Sequence, residues 1–163
     1  MPLQHPVPES HLKAIGDITV SFALLEFTMR SLTHAILGTS QRVGQIVTAE
    51  LSFKNIRALA ISLFLERHGE AGELVALRSL IKRAATLEEK RNQITHSVWV
   101  VGNTTTSITR VKTTAKEPHG IRHQFEEVTS DHLNALAIEI SQLAEEMQSF
   151  HIALVQEGKV ANL

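Results

Sequence analysis

The segment Glu88-Glu89-Lys90-Arg91-Asn92-Gln93-Ile94-Thr95-His96 concentrates groups able to do chemistry. Asn92 and His96 are four residues apart, which on a helix stacks them on one face. Arg91 lies about 100° round from Asn92, and its long side chain can swing toward that face. Arginine is permanently charged and grips phosphate oxygens with a planar fork of donors. Histidine takes or gives a proton near neutral pH. An asparagine amide can hold a ribose hydroxyl or fix the imidazole. Arg and His without a metal cluster suit cleavage of RNA through its own 2′-hydroxyl. One group helps deprotonate that hydroxyl, and the other stabilises the charged phosphorane.

Structural readings compete with this one. A His in the last turn of a helix is favoured by the helix dipole alone. An Arg on an apolar stripe can lay its stem along the core and pair with a carboxylate such as Glu26 or Glu88. Arg91 is still out of place. It interrupts the stripe Leu77, Leu80, Ala84, Leu87, Ile94, Val98, and an Arg buried there is costly unless paired. That misfit favours a site or a subunit contact.

The elements that must position these residues follow from apolar spacing. Ile15, Ile18, Phe22, Leu25, Met29, Leu32 and Ile36 recur in steps of three and four and predict a long first helix, capped by Ser10 and ended by Gly38. A second helical region spans about 43–68, with a fresh segment capped at Ser52 and a stripe of Phe53, Ile56, Leu59 or Ala60, and Leu63. The third runs over about 72–98. The period then changes. Residues 99–101 read as extended, Gly102-Asn103 as a two-residue hairpin, and residues 104–114 as a Thr- and Val-rich strand. Residues 117–120 read as a turn and residues 121–128 as a further strand. Thr129 or Ser130 caps a last helix with the stripe Leu133, Leu136, Ile140, Leu143, Met147, Phe150, Leu154. Each stripe must be buried. The expected fold is mainly α: one domain over residues 1–163, an antiparallel bundle of about four helices. A small β meander (99–128) lies between the third and last helices, with an extended arm (1–9) and a frayed tail (159–163). The wide stripe on the first helix could also serve a dimer.

Composition removes several chemistries. The 163 residues contain no Cys, so disulfides, thiolate metal sites and Cys nucleophiles are excluded. Net charge is −1, so no global basic field marks a nucleic-acid binder. Locally, residues 71–128 carry nine Lys or Arg against six acids, while residues 129–163 carry one base against five acids. The third helix and the meander are therefore the electropositive part. The start of the chain lacks the basic and apolar pattern of a signal peptide, and no apolar run reaches membrane-spanning length. A cytoplasmic protein without membrane association is expected.

Arg91-Asn92-x-x-x-His96 resembles the Arg-x4-His motif of the HEPN superfamily (higher eukaryotes and prokaryotes nucleotide-binding domains), where a polar residue often follows the Arg. Ile15-Gly16-Asp17 and Phe22-Ala-Leu-Leu-Glu26 look like the first helix of small bacterial members. Leu51-Ser-Phe-Lys54 and Trp99, placed just after the motif and before a β insert, are also similar. The resemblance covers residues 10–157. It implies a homodimer whose Arg and His meet in a cleft between chains. It also implies metal-independent endoribonuclease activity leaving a 2′,3′-cyclic phosphate, often in toxin–antitoxin or phage-defence settings, with no cofactor. Arg91 and His96 would then be catalytic and Asn92 supporting. Glu26 is a candidate to pair with Arg91 or Lys54 and orient the site, and Lys54 and Lys90 are candidate substrate contacts. One subgroup carries Arg-x4-His-x-Tyr, and a partner antitoxin adenylylates that Tyr. This chain reads His96-Ser97-Val98 and contains no Tyr, so that form of control cannot operate on it. The alternative function is a non-catalytic dimeric helical module that binds RNA, a nucleotide or a protein.

The remaining candidates carry little. His119-x3-His123 has metal-ligand spacing, but Pro118 and Gly120 break any helix there and no third ligand is evident. His34, His132 and His151 read as surface or dipole-related groups.

Overall fold

A computed structural model describes residues 7–102, 104, 107–116 and 120–161. Five helices carry most of the chain: α1 (Glu9–Leu37), α2 (Gln41–Thr48), α3 (Phe53–His68), α4 (Gly72–Thr95) and α5 (Ser130–Gln156). Strands β1 (Val98–Val101), β2 (Ser107–Lys116) and β3 (Gly120–Thr129) form one antiparallel sheet in sequence order.

The apolar stripes become the core. Phe22, Leu25, Met29 and Leu32 of α1 face Leu133, Ile140, Leu143 and Met147 of α5, all essentially inaccessible. Burying each such side chain contributes about 1.5–3 kcal/mol, which holds helices whose own caps are modest. Ser52 Oγ accepts from the Asn55 amide at the start of α3, and Thr129 Oγ1 from the His132 amide at the start of α5. Gly38 closes α1 at φ 65°, a left-handed conformation that glycine adopts without strain. Four expectations shift. Ser10 lies inside α1, because Pro8 already supplies the extended entry at φ −61° and Glu9 favours the helix dipole. Phe64, not Leu63, completes the buried stripe of α3. The helix carrying Arg91 stops at Thr95, with His96 as its C-cap. Val98 belongs to β1 and is 67 % exposed, so it is no member of the α4 stripe.

Helix direction also departs from an antiparallel bundle. α1 and α5 run parallel: His11 Nε2 meets the Val128 carbonyl at one end, Ser141 Oγ donates to Ser21 Oγ mid-way, and the Ala161 amide reaches the Ala35 carbonyl at the other. α4 runs against both, since Lys90 pairs with Glu139 while Glu73, in the first turn of α4, pairs with Lys159 beyond the end of α5. The cause is the break after Thr48. It sets the segment capped at Ser52, as expected, apart from the residues before it, and α2 becomes a return segment along α1. His34 Nε2 lies 2.8 Å from Thr48 Oγ1, and the Arg30 guanidinium caps the carbonyls of Thr48 and Leu51. One added reversal flips the parity of everything after it.

The sheet closes the end of the bundle where α4 stops and α5 begins. Val98 pairs with Val111, and Val111 with Phe125. Only Ser107, Ile108, Arg110 and Val128 of the described strand residues are buried. The first hairpin is not a two-residue turn. Val101 pairs with Ile108, which leaves six residues between the partners, and Asn103 lies outside the described residues. The expected turn at 117–120 also falls largely outside them, and Gly120 opens β3 at φ 64°.

Candidate functional site

An open groove of about 670 Å³ runs along the last turns of α4 to the edge of β2. Asn92 and His96 line it from α4, Lys54 from the start of α3, and Lys112 and Thr113 from β2. The i, i+4 spacing brings Asn92 and His96 to one face as the sequence implies, and the His96 amide closes the helix on the Asn92 carbonyl at 3.1 Å. His96 is exposed and Asn92 half-buried, so both are open to a ligand. Among the described residues neither Lys54 nor Lys112 has an ion pair. Glu88 and Glu89 share the groove wall. Glu88 is already engaged: Arg57 Nη2 lies 2.6 Å from its Oε2, with only 12 % and 21 % of the two side chains exposed. The charge left facing the groove is therefore two lysines against Glu89, with the His96 imidazole beside them.

Arg91 is not among the residues lining this groove. Its guanidinium carbon lies 4.2 Å from the centre of the Phe22 ring, close enough for a cation–π contact. Phe22 in turn meets Phe53 edge-on at 5.2 Å, and Phe53 supports Arg57 at 5.3 Å. Two arginines from different helices thus stand on one aromatic pair. Arg57 holds a carboxylate, whereas Arg91 has no ion pair among the described residues, and its Nε is buried with no hydrogen-bond partner. By helix geometry Arg91 and His96, five residues apart, point about 140° apart. Arg91 rests on Phe22 while His96 lines the groove, so the two side chains have different surroundings.

No family model, no curated protein and no solved structure matches this chain. Its chemistry must be read from its own side chains.

The other sequence candidates scatter. Lys90 turns away from the groove and pairs with Glu139 at 2.9 Å, beside a second cleft between α4 and α5. Glu26 is half-buried and has neither an ion pair nor a hydrogen bond among the described residues, so it holds neither Arg91 nor Lys54. The carboxylate suggested as an alternative partner for Arg91, Glu88, is taken by Arg57. His123 bonds Thr113 across the strands at 3.0 Å, and His119 lies outside the described residues. Among the described residues no three His, Asp or Glu side chains gather as metal ligands would. His132 is exposed as expected, but His34 is buried. Its imidazole packs over Gly44, and burial followed by the Arg30 charge lowers its pKa below the usual histidine value. Half-buried His151 shifts the same way by desolvation. The sequence reading missed Arg57 and Lys112. Arg57 had a signal: it sits one turn beyond Phe53 on the buried side of α3, a misfit of the same kind as Arg91. Also missed is Arg110, which ties the sheet to α4 by bonding Gln93 at 3.3 Å and pairing with Glu126. No helix among the described residues is long and apolar enough to cross a membrane.

Proposed function

We propose that this protein is a HEPN-like, metal-independent endoribonuclease that works as a homodimer in the cytoplasm, with a toxin or phage-defence role as its setting. The observation that carries this reading is Arg91, an arginine with no ion pair among the described residues, on the same helix end as an imidazole and an amide that open onto a lysine-flanked groove. A guanidinium placed against the core without an acid to neutralise it is costly unless an anion is its purpose. A mainly helical chain with a β insert before the last helix is the element order this reading expects.

In this reading His96 takes the proton from the RNA 2′-hydroxyl. The 2′-oxygen attacks the adjacent phosphorus, the bond to the 5′-oxygen breaks, and that oxygen takes a proton from solvent water as it leaves. Arg91 stabilises the charge on the phosphorane, and Asn92 fixes the imidazole or a ribose hydroxyl. Because Arg91 and His96 diverge within one chain, each site takes its groups from two chains. Lys54 and Lys112 extend the positive surface that receives the strand.

The test is to incubate purified protein with tRNA or total RNA in EDTA, beside Arg91→Ala and His96→Ala. Cleavage to 2′,3′-cyclic phosphate ends by the wild type alone is the expected result. Equal cutting by wild type and variants, or no cutting, sinks the catalytic assignment. A second reading is favoured by the packing of Arg91 on Phe22, away from the groove: a non-catalytic dimeric helical module binding RNA, a nucleotide or a protein. The same assay separates the two, because binding would then persist without cleavage.

A further inference from the structure

We propose that Arg57 is a positioning residue for Arg91: by holding Glu88 it keeps that carboxylate off the Arg91 guanidinium, which is left open for a phosphate. The inference rests on the reading of Arg91 as a phosphate-binding group, and it adds a residue that this reading does not require.

The argument starts from helix geometry. Glu88 precedes Arg91 by three residues, a spacing at which an acid and a base on one helix are neighbours and pair readily. An Arg91–Glu88 pair is therefore the default for this sequence, and it would place a permanent acid on the group meant for substrate. The structure shows another partner. Glu88 is drawn across to α3, where Arg57 Nη2 holds Oε2 at 2.6 Å. Arg57 is not free to leave, since 88 % of its side chain is covered and its guanidinium stands over the Phe53 ring. Glu88, four-fifths buried, cannot trade that contact for water cheaply. Two cations thus compete for one carboxylate, and the one on α3 has it. Arg91 stays on Phe22, the other ring of the same edge-to-face pair, with no ion pair among the described residues. The aromatic pair spaces the two arginines, and Glu88 goes to one of them only.

The chemical consequence is specific. Without the Arg57 charge, Glu88 becomes a partly buried acid with no partner, and the nearest cation on its own helix is Arg91. The carboxylate would then occupy the donors that a phosphate needs. Removing the Glu88 charge as well abolishes that competition.

The experiment compares wild type with Arg57→Gln, which keeps the stem on Phe53, Arg57→Lys, Glu88→Gln and the double variant. Readouts are kcat and KM for RNA cleavage, and binding of a non-cleavable 2′-O-methyl oligoribonucleotide by fluorescence anisotropy. Arg57→Gln should lose about tenfold or more in kcat/KM and in oligonucleotide affinity, the scale of one charge-assisted contact. Arg57→Lys and Glu88→Gln should stay within about threefold of wild type, and the double variant should recover to that range. A double variant as weak as Arg57→Gln would show a merely structural role and overturn the proposal, as would an Arg57→Gln variant equal to wild type. A crystal structure of Arg57→Gln gives a readout independent of activity. Glu88 within about 4 Å of the Arg91 guanidinium supports the proposal, and Glu88 turned to solvent or to Lys54 overturns it. If wild type neither cleaves nor binds RNA, the proposed function falls, and the Glu88 position in that crystal still decides this inference.

Discussion

The contact between Arg91 and Phe22 should be measurable as a coupling energy. Its guanidinium carbon stands 4.2 Å from the ring centre, well inside the range of about 6 Å at which cation–π attraction acts. Such a contact contributes about 0.5–1 kcal/mol when exposed and about 2 kcal/mol when desolvated. Arg91 is half-buried with a covered Nε, so a coupling of about 1–2 kcal/mol is expected. The assay is a double-mutant cycle by urea denaturation at neutral pH, using wild type, Phe22→Leu, Arg91→Met and the double variant. Phe22→Leu alone should cost about 1–3 kcal/mol, because it thins the core and also removes the edge contact with Phe53. Arg91→Met keeps the buried stem and loses only the charged end. The double variant should be less destabilised than the sum of the two by the coupling energy. If the ring holds the guanidinium in its working position, Phe22→Leu should also slow RNA cleavage by about 5–30-fold, the same energy expressed as a rate. A coupling below about 0.3 kcal/mol would mean that the two groups merely touch, and the argument that Phe22 presents Arg91 would fail.

Gly44→Ala should be destabilising by about 1–3 kcal/mol, because a Cβ there comes within 2.8 Å of the His34 ring on the packed side of α2. A chemical-denaturation midpoint equal to wild type would show that α2 can shift freely along α1. Stability should fall in acid through His34 and His151, whose pKa values are lowered in the fold. A group with a depressed folded pKa binds fewer protons folded than unfolded, so its contribution is complete above about 6.5 and is lost as pH falls through the folded value. Urea midpoints measured from pH 7.5 down to 5 should decline, and a His34→Gln/His151→Gln variant should flatten that decline; an unchanged slope refutes the assignment. The Arg83–Glu146 bridge, about half exposed at both ends, should contribute no more than about 1 kcal/mol and weaken in added salt, read from Arg83→Ala midpoints at two ionic strengths.

The parts of this fold legible in the sequence are those that depend on local period. The stripes of α1 and α5 map onto buried positions almost residue for residue, because a helix packed on one side must repeat every three or four residues. Helix direction was not legible. Ser52 marked a fresh segment within about 43–68, but the reversal before it is set by His34 and Arg30 gripping Thr48 from α1, contacts between residues fourteen and eighteen apart. His34 read as a dipole group because it lies in the last turn of α1, and nothing nearby announces that Gly44 will open a space for its ring. At the site, the Asn92–His96 face followed from spacing alone. The pairing of Glu88 did not, since helix rules favour Arg91 and the actual partner lies thirty-one residues away. Arg91 was recognisable as a misfit, but its ring partner belongs to α1, and only tertiary packing selects it.

The divergence of Arg91 and His96 carries a further consequence for any catalytic scheme. With Arg91 on Phe22 and side chains about 140° apart on one helix, the two do not meet at one phosphate in this arrangement of a single chain. If the protein cleaves RNA by the Arg and His chemistry with Arg91 held on Phe22, the proposed site takes one group from each chain of a dimer. Complementation tests this directly. Arg91→Ala and His96→Ala would each be inactive alone. On mixing and re-equilibration, random pairing makes about half of the dimers mixed, and one of the two sites in each mixed dimer has both wild-type groups. Activity should then return to about a quarter of the wild-type level. A site contained within one chain would gain nothing from mixing, because every chain in the mixture lacks one group. Failure to recover, with mixed dimers verified by mass spectrometry, would refute the shared site and require Arg91 to swing off Phe22 toward His96 instead.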